Sequence, residues 1–173
     1  GDYAQSVLED VLVMLLFGLS LQWMMALSGW VSFGHAAYFG LGAYAAALTH
    51  VHWHFNALLA TLCGATVSVL AASFMVRLLN RSSGVYLAML SLAFAQVVYF
   101  LALRLPFTGG EDGLQNVARP VFLGFIDTTD NQTLYFVALA LIGFGFWCIW
   151  RIVYSPFGQV LTAIRDNEAR AIS

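Results

Sequence analysis

The chain has 173 residues, 61% of them hydrophobic and only 9% charged, with a formal net charge of −2 and a mean hydropathy of +0.80. A water-soluble domain carries about a quarter charged residues to cover its surface, so this composition excludes one and indicates an integral membrane protein. All seven basic residues are arginines. Without a lysine there is no GxxxxGK loop, so the chain is not a P-loop ATPase, and any ATP that drives it is bound by another polypeptide.

In chain order, GDYAQSVLED opens with acids where a cleavable signal peptide would carry positive charge, so the chain is expected to begin outside the hydrocarbon. From Val11 to Val76 there is no Asp, Glu, Lys or Arg, room for about three crossings at ~20 residues each. The uncharged runs Ser82–Leu103 and Asn131–Trp150 add two more. The expected fold class is therefore all-α: a polytopic helical membrane protein with about five spans, near residues 10–28, 33–50, 56–78, 84–104 and 133–151. Residues 1–173 form a single transmembrane domain, with a short helix outside the bilayer over 155–172. The second span is the weakest, since ~17 residues reach only ~26 Å of a ~30 Å core, and it has the alternative of a half-helix or re-entrant element.

Arg77 and Arg81 flank one short loop, and Arg151, Arg165 and Arg170 follow the last span. By the positive-inside rule those ends are cytoplasmic. Opposite them fall the acidic start and the loop from Leu105 to Thr133, where Glu111, Asp112, Asp127 and Asp130 outweigh Arg104 and Arg119. Trp53, Trp147 and Trp150 sit where interfacial aromatic belts would lie. Cys63 and Cys148 fall in apolar runs and read as packing residues.

Three stretches carry more than hydropathy. In LSGWVSFGHAAYFGLGAYAAALTH (27–50), Gly29 and Gly34 relax the backbone, Ser32 can cap a new helix start, and His35 lies in its first turn. A helix beginning at membrane depth presents N–H groups and a positive dipole end to a substrate carboxylate; the alternative is a tight turn at the inner interface. Ala36, Gly40, Ala43 and Ala47 then form a small-residue stripe of the kind that admits another helix backbone.

In Ser82–Gln115, Gln96 is the one long polar side chain near mid-span, with Ser91 on the cytoplasmic side of it. Its amide is either interhelical glue or the lining of a polar path. TGGEDGL has turn chemistry and two acids, and its alternative is a solvated loop. Ser32, Gly34, His35, Gln96, Thr108, Gly109 and Gly110 are the candidate substrate-path residues.

In SPFGQVLTAIRDNEARA (155–171), Ser155 at the N-cap and Pro156 at N1 open a helix whose Phe157, Val160, Leu161 and Ile164 make an apolar stripe. Such a helix fits a groove on a soluble partner or lies on the bilayer, and the mixed charge of Arg165, Asp166, Glu168 and Arg170 favours the groove. His50, His52 and His54 alternate as in a strand or irregular segment, with no neighbouring Cys or carboxylate, so no metal or other cofactor is expected in this chain. Neither is a nucleic-acid partner.

In order and spacing, LSGWVSFGHAAYFGLGAYAAALTH, SGVYLAMLSLAFAQVVYF with FTGGEDGLQ, and YSPFGQVLTAIRDNEARA resemble the LivM-type permeases of bacterial branched-chain amino acid ABC transporters, over nearly the whole chain from about Val11. The resemblance implies a multi-pass inner-membrane permease subunit, not itself an enzyme. Its partners would be a related LivH-type permease, two cytoplasmic ATPases that bind the ATP, and a periplasmic solute-binding protein. It also implies that Ser155–Ala171 is the coupling helix, with Pro156, Phe157, Gly158, Leu161, Ile164, Arg165 and Glu168 meeting the ATPase. Family members continue with further spans, so the sequence reads as the amino-terminal part of a longer permease, and the glycine that usually follows the NEARA-like motif is missing. The expected solutes are leucine, isoleucine and valine. Urea or short amides are the alternative within the class; outside it stand a self-sufficient channel or secondary carrier and a membrane enzyme or haem protein using the three histidines.

Overall fold

The computed structural model describes residues 1–82, 84–119, 121–123, 125–127 and 129–167. Among them are six α-helices and no strand: α1 (Asp2–Ser28), α2 (His35–Trp53), α3 (Ala57–Leu79), α4 (Gly84–Arg104), α5 (Asn131–Val153) and α6 (Pro156–Asp166). Four of them, Tyr3–Ser28 within α1, α3, α4 and α5, are long and apolar enough to cross a bilayer. At 1.5 Å per residue the shortest of the four, with 21 residues, reaches ~31 Å.

α2 is not among the four, although its 19 residues reach ~28 Å. That still falls a little short of a ~30 Å core, as expected, and the helix is also more polar than the others, because His35, Thr49, His50 and His52 dilute its apolar residues. α1 differs from expectation, beginning at Asp2 rather than near residue 10. Backbone hydrogen bonds extend a helix through polar residues as well as apolar ones. The expected limits of α3, α4 and α5 lie within two residues of those observed.

The chain forms two compact units, Gly1–Trp30 with Asp130–Ser173, and Val31–Thr129. In the first, α1 packs along α5, where Gly145 receives the Leu16 side chain, and α6 folds back onto both. No residue of α5 is buried within the chain, as befits a helix whose remaining surface meets lipid or another subunit. α1 ends on Gly29, whose φ of 68° lets its N–H reach the carbonyl of Met25.

In the second unit α2 and α3 are the closest pair. A side chain on Gly64 would place its Cβ 2.5 Å from the Gly42 carbonyl oxygen and 3.1 Å from Ala46 Cβ, so the helices touch backbone to backbone. The Ser68 hydroxyl donates to the Tyr38 carbonyl across the same seam at 2.8 Å. Tyr38, Gly42 and Ala46 form this face, not the expected stripe of Ala36, Gly40, Ala43 and Ala47; a Cβ on Gly40 meets open space. Both faces of α2 carry small residues, and Gly64 with Ser68 on α3 selects between them. Met75 and Leu79 of α3 and Leu87 of α4 form a buried core, with Tyr38, Leu90 and Phe94 packed against it. Beyond α4 the loop makes two short 3-10 turns and a single antiparallel bridge between Phe122 and Ile126, and Val121 accepts the first N–H of α3.

Candidate functional site

The break ahead of α2 is held by α4. The Phe33 N–H donates to the Ser91 hydroxyl at 3.0 Å, and that hydroxyl donates to the Ala88 carbonyl at 2.8 Å. Ser91 is 2% exposed. Gly34 lies flat against it, since a Cβ there would stand 3.3 Å from the Ser91 carbonyl oxygen. Seven residues separate Ser91 from Gly84 at the start of α4, so α2 begins beside a point about 10 Å along that helix.

Ser32 does not cap α2 as expected. The N-cap is Gly34, with no side-chain cap, and the Ser32 hydroxyl accepts instead from the Gly34 N–H at 3.3 Å, one residue before the helix. A serine two residues before a glycine makes a local turn with it more readily than it reaches the next turn of helix. Removing the α4 anchor tests the arrangement: Ser91→Ala leaves the Phe33 N–H unpaired and is expected to cost ~1–3 kcal/mol. That loss appears as a lowered Tm of the detergent-purified protein. An unchanged Tm would show that the break is held by other contacts.

α2 and α4 also enclose a cavity of about 510 Å³, within the ~300–1,000 Å³ range of small-molecule sites. Ala36, Gly40 and Tyr44 of α2 face Gln96, Tyr99 and Ala102 of α4, and Phe107 with Thr108 line one end. Among the described residues the lining has no charged side chain. Gln96, expected to line a polar path or to bridge helices, is exposed, and among the described residues its side-chain amide has no hydrogen-bond partner. Its amide therefore needs a partner from outside this chain or from water in the cavity.

Thr108 is committed elsewhere. It is 5% exposed, and its hydroxyl lies 2.6 Å from the Ala102 carbonyl and 2.7 Å from that of Leu105, closing the carboxyl end of α4. Gly109 and Gly110 follow with φ of 83° and 62°. A Cβ on Gly109 would overlap the Gly113 carbonyl, so the turn requires glycine there. Ala43 and Ala47, with Tyr44, Leu114 and Val117, line a second hollow of about 230 Å³. Of the residues singled out from sequence, Ala36, Gly40, Gln96 and Thr108 thus meet around one cavity. Gly34 meets α4 at Ser91. Tyr44 and Tyr99 join the cavity without having been singled out.

α6 has the expected start: the Ser155 hydroxyl accepts from the Gly158 N–H at 3.3 Å and Pro156 occupies the first turn. Its two faces differ. Phe157, Val160 and Ile164 are exposed, while Gly158, Thr162 and Arg165 border a cleft of about 530 Å³ with Trp23, Ala26 and Leu27 of α1 and Val153 of α5. Gly158 is buried because a Cβ would overlap the Val153 carbonyl and stand 2.7 Å from that of Ile152. Arg165, expected to meet the ATPase, also reaches back toward α1: one guanidinium nitrogen donates to the Ala26 carbonyl. Glu168 lies outside the described residues, as does the rest of the expected helix beyond Asn167.

His50, His52 and His54 are not alternating as in a strand. The first two belong to α2, where a two-residue step turns side chains to different faces, and His54 ends it with a φ of 52°. His50 Nδ1 lies 2.8 Å from the Phe55 carbonyl. In the loop before α5, the Thr129 N–H and hydroxyl both donate to Asp127 and hold its carboxyl below its usual range.

Apolar helices of crossing length, a helix start anchored part-way along its neighbour, and a short amphipathic helix with an uncovered apolar face define a polytopic α-helical membrane protein. A family model described as branched-chain amino acid transport system / permease component matches residues 3–172, and the chain belongs to that family. It is 27% identical over 181 residues to the high-affinity branched-chain amino acid transport system permease protein LivM of Escherichia coli K12, and 26% over 180 residues to the LivM protein of Salmonella typhimurium LT2. Each alignment covers 91% of this chain and 42% of the relative, so the chain spans less than half the length of the curated relatives it matches. No solved structure matches it significantly. The three motifs that resemble LivM-type permeases agree with these matches.

Proposed function

We propose that the chain is part of the passive, alternating-access pathway of an ATP-driven importer, carrying leucine, isoleucine or valine across the bacterial inner membrane. In this reading it pairs with a LivH-type permease, receives solute from a periplasmic binding protein on the side of the acidic Leu105–Thr133 loop, and is switched by two cytoplasmic ATPases. The observation that carries it is the exposed Phe157–Val160–Ile164 face of α6. An amphipathic helix leaves three large apolar side chains uncovered when a groove on a partner receives them. The solute class rests on the family and on the cavity between α2 and α4, whose apolar lining and neutral Gln96 suit an aliphatic side chain.

The absence of Asp, Glu, Lys and Arg from residues 11–76 leaves His35, at the start of α2, as the candidate ion-loading group of the apolar part, and so favours a motor outside the membrane over a proton-coupled carrier, which loads its ion on a membrane acid or histidine. The full-length permease, reconstituted with its partner subunits in vesicles, is expected to take up labelled leucine only with ATP and loaded binding protein. Uptake driven by a proton gradient alone, or by the purified permease without partners, overturns the proposal. Uptake of urea or a short amide in place of leucine would keep the mechanism and replace the solute.

A further inference from the structure

Arg165 is set up as a link between α6 and the end of α1. Nothing in its own helix requires it to turn back, since a residue in the last turn of α6 already favours the local carbonyls from an outward position. Instead its Nη1 donates to the Ala26 carbonyl, in the last turn of α1. Nε and Nη2 donate together to one oxygen of Asp166, at 3.0 and 2.8 Å. With the side chains 39% and 63% exposed, this ion pair is screened by solvent and contributes little to stability. Its effect is geometric: it fixes the guanidinium plane so that the remaining nitrogen points at α1.

The receiving end is shaped to match. α1 has no basic residue in its last turn, so the negative pole of its dipole finds its cation on α6. The Arg165 stem packs on Gly29, where any Cβ would come within 2.8 Å of Cγ, and Gly29 is the left-handed residue that ends α1. α6 is therefore held from two directions by its inward face: by Gly158 against the α5 carbonyls and by Arg165 against the α1 carboxyl end. Its outward face stays free.

We infer that Arg165 is a positioning residue that carries displacements of α6 to the carboxyl end of α1, so that a partner pulling on Phe157, Val160 and Ile164 moves α1 as well as α5. This rests on the proposed role of α6 as the lever worked by an ATPase. It adds a second, side-chain route to the covalent one through the α5–α6 turn.

The test uses the full-length permease in its reconstituted complex and compares solute transported per ATP hydrolysed. Arg165→Ala is expected to lower that ratio about tenfold, in the lower part of the range of coupling between sites, with the ATPase subunits retained in the same stoichiometry. Arg165→Lys, which keeps a cation but lacks the fork, is expected to restore part of it. An unchanged ratio overturns the inference, and so does loss of the ATPase subunits with Arg165→Ala, which would make Arg165 part of the docking surface. Should Arg165→Ala fail to accumulate, Arg165→Gln, which keeps the stem on Gly29 and one amide donor, decides by the same two outcomes. If the unaltered permease never retains an ATPase, the proposed function fails instead, a result separable from any effect of these variants.

Discussion

Gly158→Leu is expected to reduce ATP-driven uptake by at least ~10-fold while the permease still inserts in the membrane. The reason is local. Gly158 occupies the third position of α6, where its N–H is taken by Ser155 and its Cα lies against the carbonyls of Ile152 and Val153. A Cβ there overlaps the Val153 carbonyl, which is backbone and cannot rotate aside, so the α5–α6 turn must open. Overpacking of this kind costs ~1–3 kcal/mol, and here the strain is relieved by swinging α6 away from its seat. α1 and α5 satisfy their own backbone groups and insert independently of that turn. The decisive measurement is the stimulation of ATP hydrolysis by solute-loaded binding protein: stimulation at the parent level in Gly158→Leu would remove α6 from the coupling route. Phe157→Ser probes the outward face of the same helix: it leaves the turn intact and removes one of the exposed apolar side chains that a partner groove would receive, so it too is expected to lower the stimulation.

The course of the main chain was legible because the bilayer enforces it. Lipid offers the backbone no hydrogen bonds, so an apolar run of the right length is a helix, and Ala57–Leu79, Gly84–Arg104 and Asn131–Val153 begin and end close to where charge and turn residues put them. The start of α6 was legible for another reason: Ser155 and Pro156 act on their own turn, and no distant contact can override them. What distant contacts decide was not legible. Small residues line both the Ala36–Gly40 and the Gly42–Ala46 faces of α2, and only Gly64 and Ser68, a small pair four apart on α3, select the second. Ser91 read as a minor polar residue beside Gln96, yet it fixes the start of α2, because the N–H it serves lies far away in the chain. Thr108 looked available to a solute until the carbonyls at the end of α4 claimed its only proton. Arg165 shares an i, i+4, i+7 face with Gly158 and Thr162, a spacing that could have assigned it inward. The family resemblance instead assigned this long charged side chain to the ATPase.

The two faces of α2 yield a pair of opposite outcomes. Gly64→Leu is expected to disrupt the second unit: its Cβ would lie 2.5 Å from the Gly42 carbonyl oxygen, and the added branch would push α2 off α3 and break the bond from Ser68 to Tyr38. Overpacking between rigid backbones costs ~1–3 kcal/mol or more, and the lost interhelical hydrogen bond adds ~0.6 kcal/mol. In detergent this should appear as aggregation or a sharply lowered Tm. Gly40→Leu is expected to do neither. A Cβ on Gly40 has nothing within 4 Å, and leucine is the better helix former by ~0.5–1 kcal/mol, so the protein should purify as the parent does. The new side chain would project into the cavity that Gly40 shares with Gln96 and Tyr99, where it competes for the space an aliphatic solute would occupy. Uptake should therefore fall with assembly intact. Normal uptake by Gly40→Leu would take the cavity off the solute's route, and a well-folded Gly64→Leu would mean that α2 and α3 do not meet where Gly42 and Gly64 bring them together.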